Sequence, residues 1–362
     1  MAEDRSRRPT LDTVASEVGV SRATVSNAYN RPDQLSDQLR EHILRTANRL
    51  GYAGPDPVAR SLARQRSGAV AVVIDTNLST AFSDPALSIT LDALSSAMDS
   101  EDHALLLLAG TEDGGPSRER IMRAQADVVV AYSLAEDIPA LEAVRARGLP
   151  LVVIDAPVVE ESARVEIDDL GGARLAARHV IEQGHRELGV LADELLPDLY
   201  RGPADATRLG SIRYRVSRER LAGYFEVLGA AGLSTGDVPV WEAGGIQAEL
   251  GAQGAHWLLD RDPRPTALLC MTDHLAFGAA QTARALGIRV PDELSIVGFD
   301  DSWVAARAEP PLTTVRQDLL AKGRAAGEVA LRLLAGEQPG PVVRLPTELV
   351  IRDSSGPAPS AR

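Results

Sequence analysis

A polar surface near the N-terminus has the residue types that hydrogen-bond to DNA bases. In the run TLDTVASEVGVSRATVSNAYN (residues 10–30), one face of the second half presents Arg22, Ala23, Ser26 and Asn27. Guanidinium and amide groups can form paired hydrogen bonds with base edges in the major groove. These residue types therefore favour an element that reads DNA sequence, although an arginine that only neutralises phosphate is an open alternative for Arg22.

Two short helices must position this surface. Apolar residues recur at helical spacing over residues 11–18, and Thr10 can cap the first turn. Gly19 can take the positive φ of a tight turn, and Ser21 can cap the next helix through its hydroxyl. The spacing predicts a helix-turn-helix whose second helix can enter a major groove. An amphipathic helix pair without a ligand is the alternative.

A third helix and a short fourth one follow. Ser36 can cap the third helix and Gly51 can end it. In GYAGPDPVARSLARQRSG (residues 51–68), the two prolines delay helix formation, and a narrow apolar stripe then follows over residues 58–63. A helix of this length is unstable alone in water. We therefore expect it to form against a partner, either its own copy in a dimer or DNA.

Charge is divided unevenly along the chain. Residues 1–66 contain eleven Arg and eight Asp or Glu, a net charge of +3, and the whole chain carries −13, so the remainder carries −13 − 3 = −16. An acidic protein of this kind should not bind polyanions in general. A basic end on an acidic body indicates one specialised nucleic-acid contact.

The body alternates unbroken apolar runs with helical stretches. Such runs are typical of parallel strands that are buried on both faces. The candidate strands are 69–75, 104–109, 127–132, 150–156, 187–193, 266–271 and 294–299. The pattern predicts a doubly wound α/β architecture, with ligands at the carboxyl ends of the strands.

Catalytic signatures are missing from the sequence. The six histidines never take a zinc-helix spacing, and no Gly-x-Ser-x-Gly elbow or phosphate loop occurs. The single cysteine, Cys270, lies in an apolar run and is expected to fill core. We therefore predict a protein that is not an enzyme and that needs neither a cofactor nor a metal ion.

No apolar run is long enough to span a membrane, and the N-terminus has no signal-peptide core. We expect a cytoplasmic protein that does not contact a membrane.

The first 63 residues resemble the headpiece and hinge of the LacI/GalR (lactose-repressor-type) family of regulators. VASEVGVSRATVSNAYN is similar to the family's helix-turn-helix, and GY…VARSLA to its hinge. The resemblance implies that Arg22, Ala23 and Asn27 contact base edges, although Asn27 stands where the family more often has a basic residue. It also implies backbone or hinge contacts with DNA for Thr10, Ser21, Thr24, Ser26, Asn30, Val58, Ala59, Arg60, Ser61, Leu62 and Ala63. Leu62 matches the leucine that members insert into the minor groove.

The rest of the chain resembles the periplasmic-binding-protein-like core of the same family. The matching phrases include VEIDDLGGARLAARHVIEQGHRELGVL, PTALLCMTDHLAFGAAQTARALGIRVPDELSIVGFDD and PPLTTVRQD. The resemblance implies two lobes joined by three crossovers, with a small molecule in the cleft between them. The expected boundaries are a headpiece over 1–54, a hinge over 55–67, a core over 68–355 and a tail over 356–362. We expect lobe 1 over about 68–160 plus 293–318, and lobe 2 over about 161–292 plus 319–355.

Effector contacts are also implied by the resemblance. Arg220 matches an arginine that binds effector in relatives, and Asp273 matches an acid that accepts hydrogen bonds from ligand hydroxyls, although Thr272 replaces the usual Asn before it. A carboxylate and a guanidinium together can satisfy the donors and acceptors of a polyol. Further candidates are Phe82, Asp84, Asp155 and Trp303.

Residues 193–220 depart from the family pattern. Their Pro, Gly and Arg content predicts an extended loop at the mouth of the cleft. If it is functional, its basic and aromatic side chains favour an anionic ligand such as a sugar phosphate; otherwise it is a disordered decoration. These side chains are Arg201, Arg208, Arg213, Tyr214 and Arg215.

The sequence therefore predicts a ligand-responsive transcription regulator. We expect a repressor that binds a palindromic operator as a homodimer, because the tail lacks the leucine heptads of a tetrameric coiled coil. A sugar-like effector is expected from the resemblance. A nucleobase, nucleoside or sugar phosphate acting as corepressor remains an alternative, and a sugar-binding protein or enzyme without DNA function is a remote one.

Overall fold

The computed structural model describes residues 9–54, 66–110, 115–136 and 138–360, and the chain divides after Ser67 into two compact units. Most of the expected hinge, including the six residues from Val58 to Ala63 that are expected to contact DNA, lies outside the described residues. The assignment of DNA contacts to that segment therefore stays a prediction.

Three helices form the N-terminal unit: α1 (Leu11–Val18), α2 (Arg22–Asn30) and α3 (Asp37–Leu50). The hydroxyls of Thr10 and Ser21 each accept a hydrogen bond from the backbone amide three residues on, which caps α1 and α2. Gly19 ends α1 with φ +78°. The side chains that the three helices bury together are Val14, Val25, Ala28, Ile43 and Ala47. The predicted helix-turn-helix is therefore confirmed.

Thirteen strands of the described residues belong to the C-terminal unit. They are β1 (Ala69–Val73), β2 (Ala104–Leu108), β3 (Val128–Tyr132), β4 (Leu151–Ile154), β5 (Ala163–Ile167), β6 (Leu188–Ala192), β7 (Gly202–Pro203), β8 (Val240–Glu242), β9 (Ala267–Cys270), β10 (Ser295–Asp300), β11 (Thr313–Gln317), β12 (Val343–Leu345) and β13 (Thr347–Val350). All seven strands predicted from apolar runs are present.

The helices of this unit cover the faces of its sheets. They are α4 (Leu78–Ser83), α5 (Pro85–Asp99), α6 (Arg118–Arg123), α7 (Pro139–Arg147), α8 (Asp169–Glu182), α9 (Ala206–Leu209), α10 (Arg215–Ala230), α11 (Ala248–Leu259), α12 (Asp273–Ala285), α13 (Trp303–Arg307) and α14 (Leu319–Leu334).

The strands form two sheets, and each sheet is the centre of one lobe. The first sheet has the order β12-β5-β4-β3-β1-β2, and all its pairs are parallel. The second has the order β13-β11-β10-β9-β6-β8-β7, with antiparallel pairs only at its two ends. Parallel strands with helices on both faces give the predicted doubly wound architecture.

The chain crosses between the lobes three times, and this corrects the expected boundaries. It passes from β5 into α8, from β11 into α14, and from β12 into β13. Residues 295–317 therefore lie in lobe 2 and residues 319–345 in lobe 1, the reverse of the expectation for this part of the chain. The reason is strand pairing, because β10 continues the second sheet beside β9, whereas α14 packs on α5 of lobe 1.

Residues 193–220 are also ordered differently from the expectation. They include the short strand β7, the helix α9 and the first turns of α10, so this segment is not one extended loop. The hydroxyl of Tyr200 donates to the carbonyl oxygen of Pro203, and Arg208 stacks 4.1 Å from the Tyr200 ring. Within the described ranges, no helix has the length and apolar character that crossing a bilayer requires.

The backbones of helices α11 and α12 approach closely at Gly278, and this predicts that a larger residue there lowers the stability of the protein. A methyl group at Gly278 would overlap the carbonyl oxygen of Ala248, and Gly229 on α10 has nothing within 4 Å of the same position. We expect Gly278→Ala to lower the free energy of unfolding by about 1–3 kcal/mol, because two helix backbones must separate. The matched Gly229→Ala variant should be neutral or more stable by up to about 1 kcal/mol. Urea unfolding of both variants checks this, and equal midpoints would contradict the packing argument.

Candidate functional site

The exposed face of α2 carries the residues predicted to read bases. Arg22 and Ala23 are exposed, and Asn27 is half-buried and donates a hydrogen bond to Oε1 of Gln34 at 3.2 Å. The Arg22 guanidinium lies 3.6 Å from the Asp12 carboxylate, with both side chains 67% exposed. An ion pair this exposed is weak, so Arg22 can turn to a DNA base at small cost.

The predicted phosphate contacts surround this face. Ser21 and Thr24 share a hydrogen bond at 2.8 Å between their hydroxyls at the start of α2. The Asn30 amide donates to the backbone oxygen and the hydroxyl of Ser26, both at 3.1 Å. Thr10 caps α1. These groups are placed at helix ends and on one helix face, where phosphates are commonly bound.

A cavity of about 720 Å³ lies in the C-terminal unit, where the carboxyl ends of strands from both sheets meet. Asp75 and Asp155 follow strands β1 and β4 of lobe 1, and Asp300 and Gln317 end strands β10 and β11 of lobe 2; all four line the cavity. Arg220 reaches the same cavity from α10. This is the position in which open α/β sheets bind ligands, and the predicted cleft is present.

Arg220 is buried at the cavity with several partners. Its Nε donates to Oδ1 of Asp169 at 2.8 Å, and its guanidinium also bonds the carbonyl oxygen of Met271. The Phe299 ring centroid lies 3.6 Å from the guanidinium carbon. Burial opposes the charge, but the Asp169 and Asp300 carboxylates raise the pKa of Arg220 above its ordinary value. Arg220 is therefore a fixed cation on the cavity wall, in the position that the sequence predicted.

A second buried cation, Lys322 of α14, continues the polar wall. Its Nζ donates to Oδ2 of Asp155 at 2.7 Å and to Oε1 of Gln317 at 2.6 Å. The Gln317 amide in turn donates to Oδ1 of Asp300 at 2.6 Å. This chain of hydrogen bonds runs from lobe 1 to lobe 2, because α14 and Asp155 belong to the first lobe and the ends of β10 and β11 to the second.

Acidic groups gather near Tyr214, which precedes α10. The Tyr214 hydroxyl donates to Oδ2 of Asp75 at 3.0 Å, across the two lobes. Burial raises the pKa of Asp75 to about 6 and that of Glu194 to about 8, and the negative charge of Asp193 reinforces both shifts. Burial likewise raises the pKa of Asp84 to about 6. Part of the cavity wall therefore holds protons at neutral pH.

Further contacts between the lobes surround this tyrosine. The Arg218 guanidinium bonds both carboxylate oxygens of Glu136, at 2.6 and 3.1 Å, and the Glu136 amide donates to the carbonyl oxygen of Arg213 at 2.9 Å. Arg215 donates to the carbonyl oxygen of Asp155 at 3.0 Å and to Glu166 at 2.9 Å. Residues 213–218 of lobe 2 therefore contact lobe 1 in four places, in addition to the hydrogen bond from Tyr214 to Asp75.

The predicted effector residues divide into two groups. Arg220, Asp84 and Asp155 line the cavity. Phe82 and Trp303 do not, because their side chains are directed to solvent and are 65% and 54% exposed. Trp303 instead has Arg307 5.4 Å from its ring.

The prediction that Asp273 contacts the effector does not fit the structure, because its carboxylate is buried behind the wall of the cavity. It accepts hydrogen bonds from the amide of Ser302 at 2.7 Å, the hydroxyl of Ser302 at 3.0 Å and the hydroxyl of Thr314 at 2.5 Å. Three donors leave little capacity for a ligand. The acid that lines the cavity from this part of lobe 2 is Asp300, which sequence reasoning missed although it directly follows the predicted strand 294–299.

The charge balance of the cavity argues against the anionic ligand that residues 193–220 suggested. Among the described residues, its lining includes seven carboxylates and three arginine or lysine side chains, together with His274. The carboxylates are Asp75, Asp84, Asp155, Asp193, Glu194, Asp198 and Asp300, and the cations are Arg201, Arg220 and Lys322. Arg208 and Arg215 are engaged with carboxylates, at Asp198 and Glu242 for Arg208 and at Glu166 and Glu219 for Arg215. Carboxylates outnumber arginine and lysine side chains on this wall even with the protonated Glu194 left out, and this excess opposes a phosphate.

A helix-turn-helix unit followed by a two-lobed α/β unit with a polar cleft defines a class, the transcriptional regulators that bind DNA and a small molecule. Comparisons with known proteins agree. Residues 10–54 match the family described as bacterial regulatory proteins, lacI family, and residues 177–355 match the periplasmic binding protein-like domain. A helix-turn-helix-type transcriptional regulator of Mycolicibacterium smegmatis is 41% identical over 97% of each chain. IpsA of Corynebacterium glutamicum is 39% identical over 93% of this chain and 95% of its own.

Solved structures show the same relationship. The transcriptional regulator CelR in complex with cellobiose is 30% identical and has a TM-score of 0.68, over 96% of this chain and 100% of its own. The lac repressor dimer bound to operator and the anti-inducer ONPF is 25% identical and has a TM-score of 0.76, over 97% and 100%. The chain belongs to the LacI family of bacterial transcriptional regulators. Its relatives are named as regulators, which confirms that it is not an enzyme.

The buried acids give a prediction about pH. The pKa of Glu194 is raised from an ordinary value of 4.5 to about 8. The stability associated with its protonated form is therefore complete below pH 4.5 and is lost as pH rises through 8. We expect Glu194→Gln to raise the melting temperature at pH 8.5 by about 2–4 °C, which corresponds to about 1 kcal/mol, and to have almost no effect at pH 5.

Thermal unfolding of wild type and Glu194→Gln between pH 5 and 9, without ligand, measures this effect. The exposed Glu160 provides a matched control, since Glu160→Gln changes the same charge in solvent. A Glu194→Gln curve that runs parallel to wild type over the whole range would show that Glu194 does not titrate in this way.

Proposed function

We propose that this regulator is a repressor whose operator affinity is controlled by an uncharged, sugar-like effector in the interlobe cleft. The observation that carries the proposal is the cavity where the two sheets meet, because its polar wall is built from both lobes of a DNA-binding chain. A ligand that contacts both lobes favours one arrangement of them over another. Ligands shift a conformational equilibrium only through such differential contacts.

On the DNA side, we propose a homodimer that binds a palindrome. In this arrangement α2 of each copy enters a major groove, and the two half-sites are about one helical turn apart. Arg22 has the donors for paired hydrogen bonds with guanine, and Ala23 offers only an apolar contact, suited to a thymine methyl. The lac repressor dimer bound to operator, which shares the fold, supports the dimeric arrangement. Leu62, outside the described residues, is proposed to insert at the centre of the palindrome. Binding to the chromosome would locate the protein in the cytoplasm.

On the ligand side, an uncharged polyhydroxy compound fits the cavity better than a phosphate. Hydroxyl groups both donate and accept hydrogen bonds, so they can satisfy carboxylates and a guanidinium on the same wall. The CelR–cellobiose complex, which has the same fold, supports a carbohydrate. An effector coupling of about 1–3 kcal/mol would change operator affinity roughly 5- to 150-fold.

Genomic capture tests the DNA part of this proposal. Purified protein is mixed with fragmented DNA of its own genome, and the bound fragments are sequenced. We expect a small set of palindromes to be enriched without added ligand, as a repressor released by its effector requires. Enrichment that appears only with a small-molecule cell extract would identify a corepressor-dependent protein instead, and no enrichment in either condition would contradict DNA-sequence recognition.

Arg22→Ala refines the same assay. We expect it to change base preference at one symmetric pair of positions and to cost about 1–3 kcal/mol on the preferred sequence, because a bidentate contact to guanine is lost. Arg45→Ala is the matched control, since Arg45 on α3 is also 67% exposed and forms an exposed ion pair, with Glu41 of its own helix. Equal loss on all sequences would assign Arg22 to phosphate.

A further inference from the structure

Lys322 is the single lysine of the chain. The other 37 of its 38 Lys and Arg residues are arginines. This lysine lies on the wall of the interlobe cavity, and only 1% of its surface is exposed. In a chain that uses arginine at every other basic position, lysine stands where a buried cation faces the proposed effector.

The contacts of Lys322 leave hydrogen-bonding capacity toward the cavity. An ammonium group has three N–H donors. The described residues use two of them, through Oδ2 of Asp155 at 2.7 Å and Oε1 of Gln317 at 2.6 Å. The other carboxylate oxygen of Asp155, Oδ1, is buried and has no hydrogen-bond partner among the residues that the structure describes. One donor and one acceptor that the described residues leave without a partner therefore belong to two bonded side chains, both of which line the cavity and are more than nine-tenths buried.

The surroundings explain why this cation is a lysine. A guanidinium is planar and presents its donors as a wide fork, whereas an ammonium is compact and can direct its donors to three separate acceptors. The two acceptors of Lys322 come from different lobes, because Asp155 follows β4 and Gln317 ends β11. The ammonium group therefore bonds to an acceptor from each lobe, and its third N–H donor remains for another group.

A buried polar atom without a partner is costly, so a ligand that satisfies both groups gains affinity. We propose that Lys322 and Asp155 form a specificity-determining pair, in which the third N–H of Lys322 and Oδ1 of Asp155 bind neighbouring hydroxyl groups of an uncharged polyhydroxy effector. This inference rests on the proposed effector cleft, and it names two residues that determine which ligand the cleft binds. An anionic ligand is disfavoured, because Asp155 already neutralises the lysine and carboxylates outnumber cations around it.

The same pair would couple effector binding to the arrangement of the two lobes. Lys322 lies four residues beyond Asp318, at the crossover from β11 into α14, and its bond to Gln317 spans that crossover. A hydroxyl bound to Lys322 therefore touches a group that is held by both lobes.

The single lysine allows a direct test in the wild-type protein. Protein labelled with ¹³C and ¹⁵N in lysine only, and carrying no lysine-containing tag, gives one set of lysine side-chain NMR signals. The probes are D-glucose, D-ribose and cellobiose, with D-glucose 6-phosphate as the anionic counterpart, and calorimetry measures their binding. We expect at least one uncharged probe to bind and to shift the Lys322 signals, and the phosphate to bind at least about tenfold more weakly than glucose.

Three results would overturn the assignment. They are binding of an uncharged probe that leaves the lysine signals unchanged, tighter binding of the phosphate than of glucose, and failure of every uncharged probe to bind. Capture of genomic DNA by the same ligand-free preparation is measured in parallel. Loss of DNA capture contradicts the proposed regulator, whereas DNA capture with an unresponsive lysine contradicts only the effector pair.

Variants then test the pair itself. We expect Lys322→Met to weaken binding of the responsive probe at least about tenfold, as expected for loss of a hydrogen bond from a charged donor. Because Lys322→Met leaves Asp155 buried without its cation, Lys322→Met/Asp155→Asn is made as a second variant that retains no unpaired charge. Arg324→Met, two residues further along the same helix but exposed, is the matched control and should bind the probe as wild type does. Wild-type affinity in both Lys322 variants would overturn the proposal.

Discussion

The pairing of buried charge where the two sheets face each other is the constraint on which this structure depends. Arg220 and Lys322 are the two buried side chains of arginine or lysine among the described residues. Leaving such a cation unpaired in the interior is strongly destabilising. Asp169 and Asp300 lie beside Arg220, Asp155 lies beside Lys322, and the Gln317 amide joins the two groups. Among these bonds, the one from Lys322 to Gln317 joins the two lobes, and the others hold the wall of the cavity within each lobe.

The polar wall also explains the unequal chemistry of the two units. The N-terminal unit presents Arg22 and small polar residues to solvent, which suits a surface that must meet phosphates and bases. The remainder of the chain is strongly acidic, and several of its carboxylates are turned into the cavity. Carboxylates in that position can accept hydrogen bonds from a neutral ligand, and their charge opposes a polyanion. Separation of the two tasks lets one chain bind DNA only through its basic end.

Sequence reasoning predicted the architecture well, because it depends on patterns that are local. Apolar runs located the seven central strands, and capping residues located α1 and α2. The lobe boundaries after residue 293 were wrong, because membership of a sheet depends on which strand lies alongside, and periodicity carries no information on that. β10 and β11 extend the second sheet, and the chain crosses back only at Asp318. The apolar run of a buried parallel strand looks the same in the sequence whichever lobe the strand belongs to.

The candidate site shows where residue type stops being informative. Asp273 and Asp300 are both acids next to strands of lobe 2, and either could accept a hydrogen bond from a ligand. What separates them is the number of donors already present, because Asp273 accepts three hydrogen bonds from Ser302 and Thr314, whereas Asp300 lines the cavity. The same reasoning identifies Lys322, which lies in an ordinary helical stretch of the sequence. The role proposed for it rests on what surrounds its ammonium group: two acceptors from different lobes, and a carboxylate oxygen without a partner in the part of the chain that the structure describes. A side chain can bind a ligand only through hydrogen-bond donors and acceptors that have no partner within the protein. Which donors and acceptors these are depends on the folded structure and cannot be read from residue type.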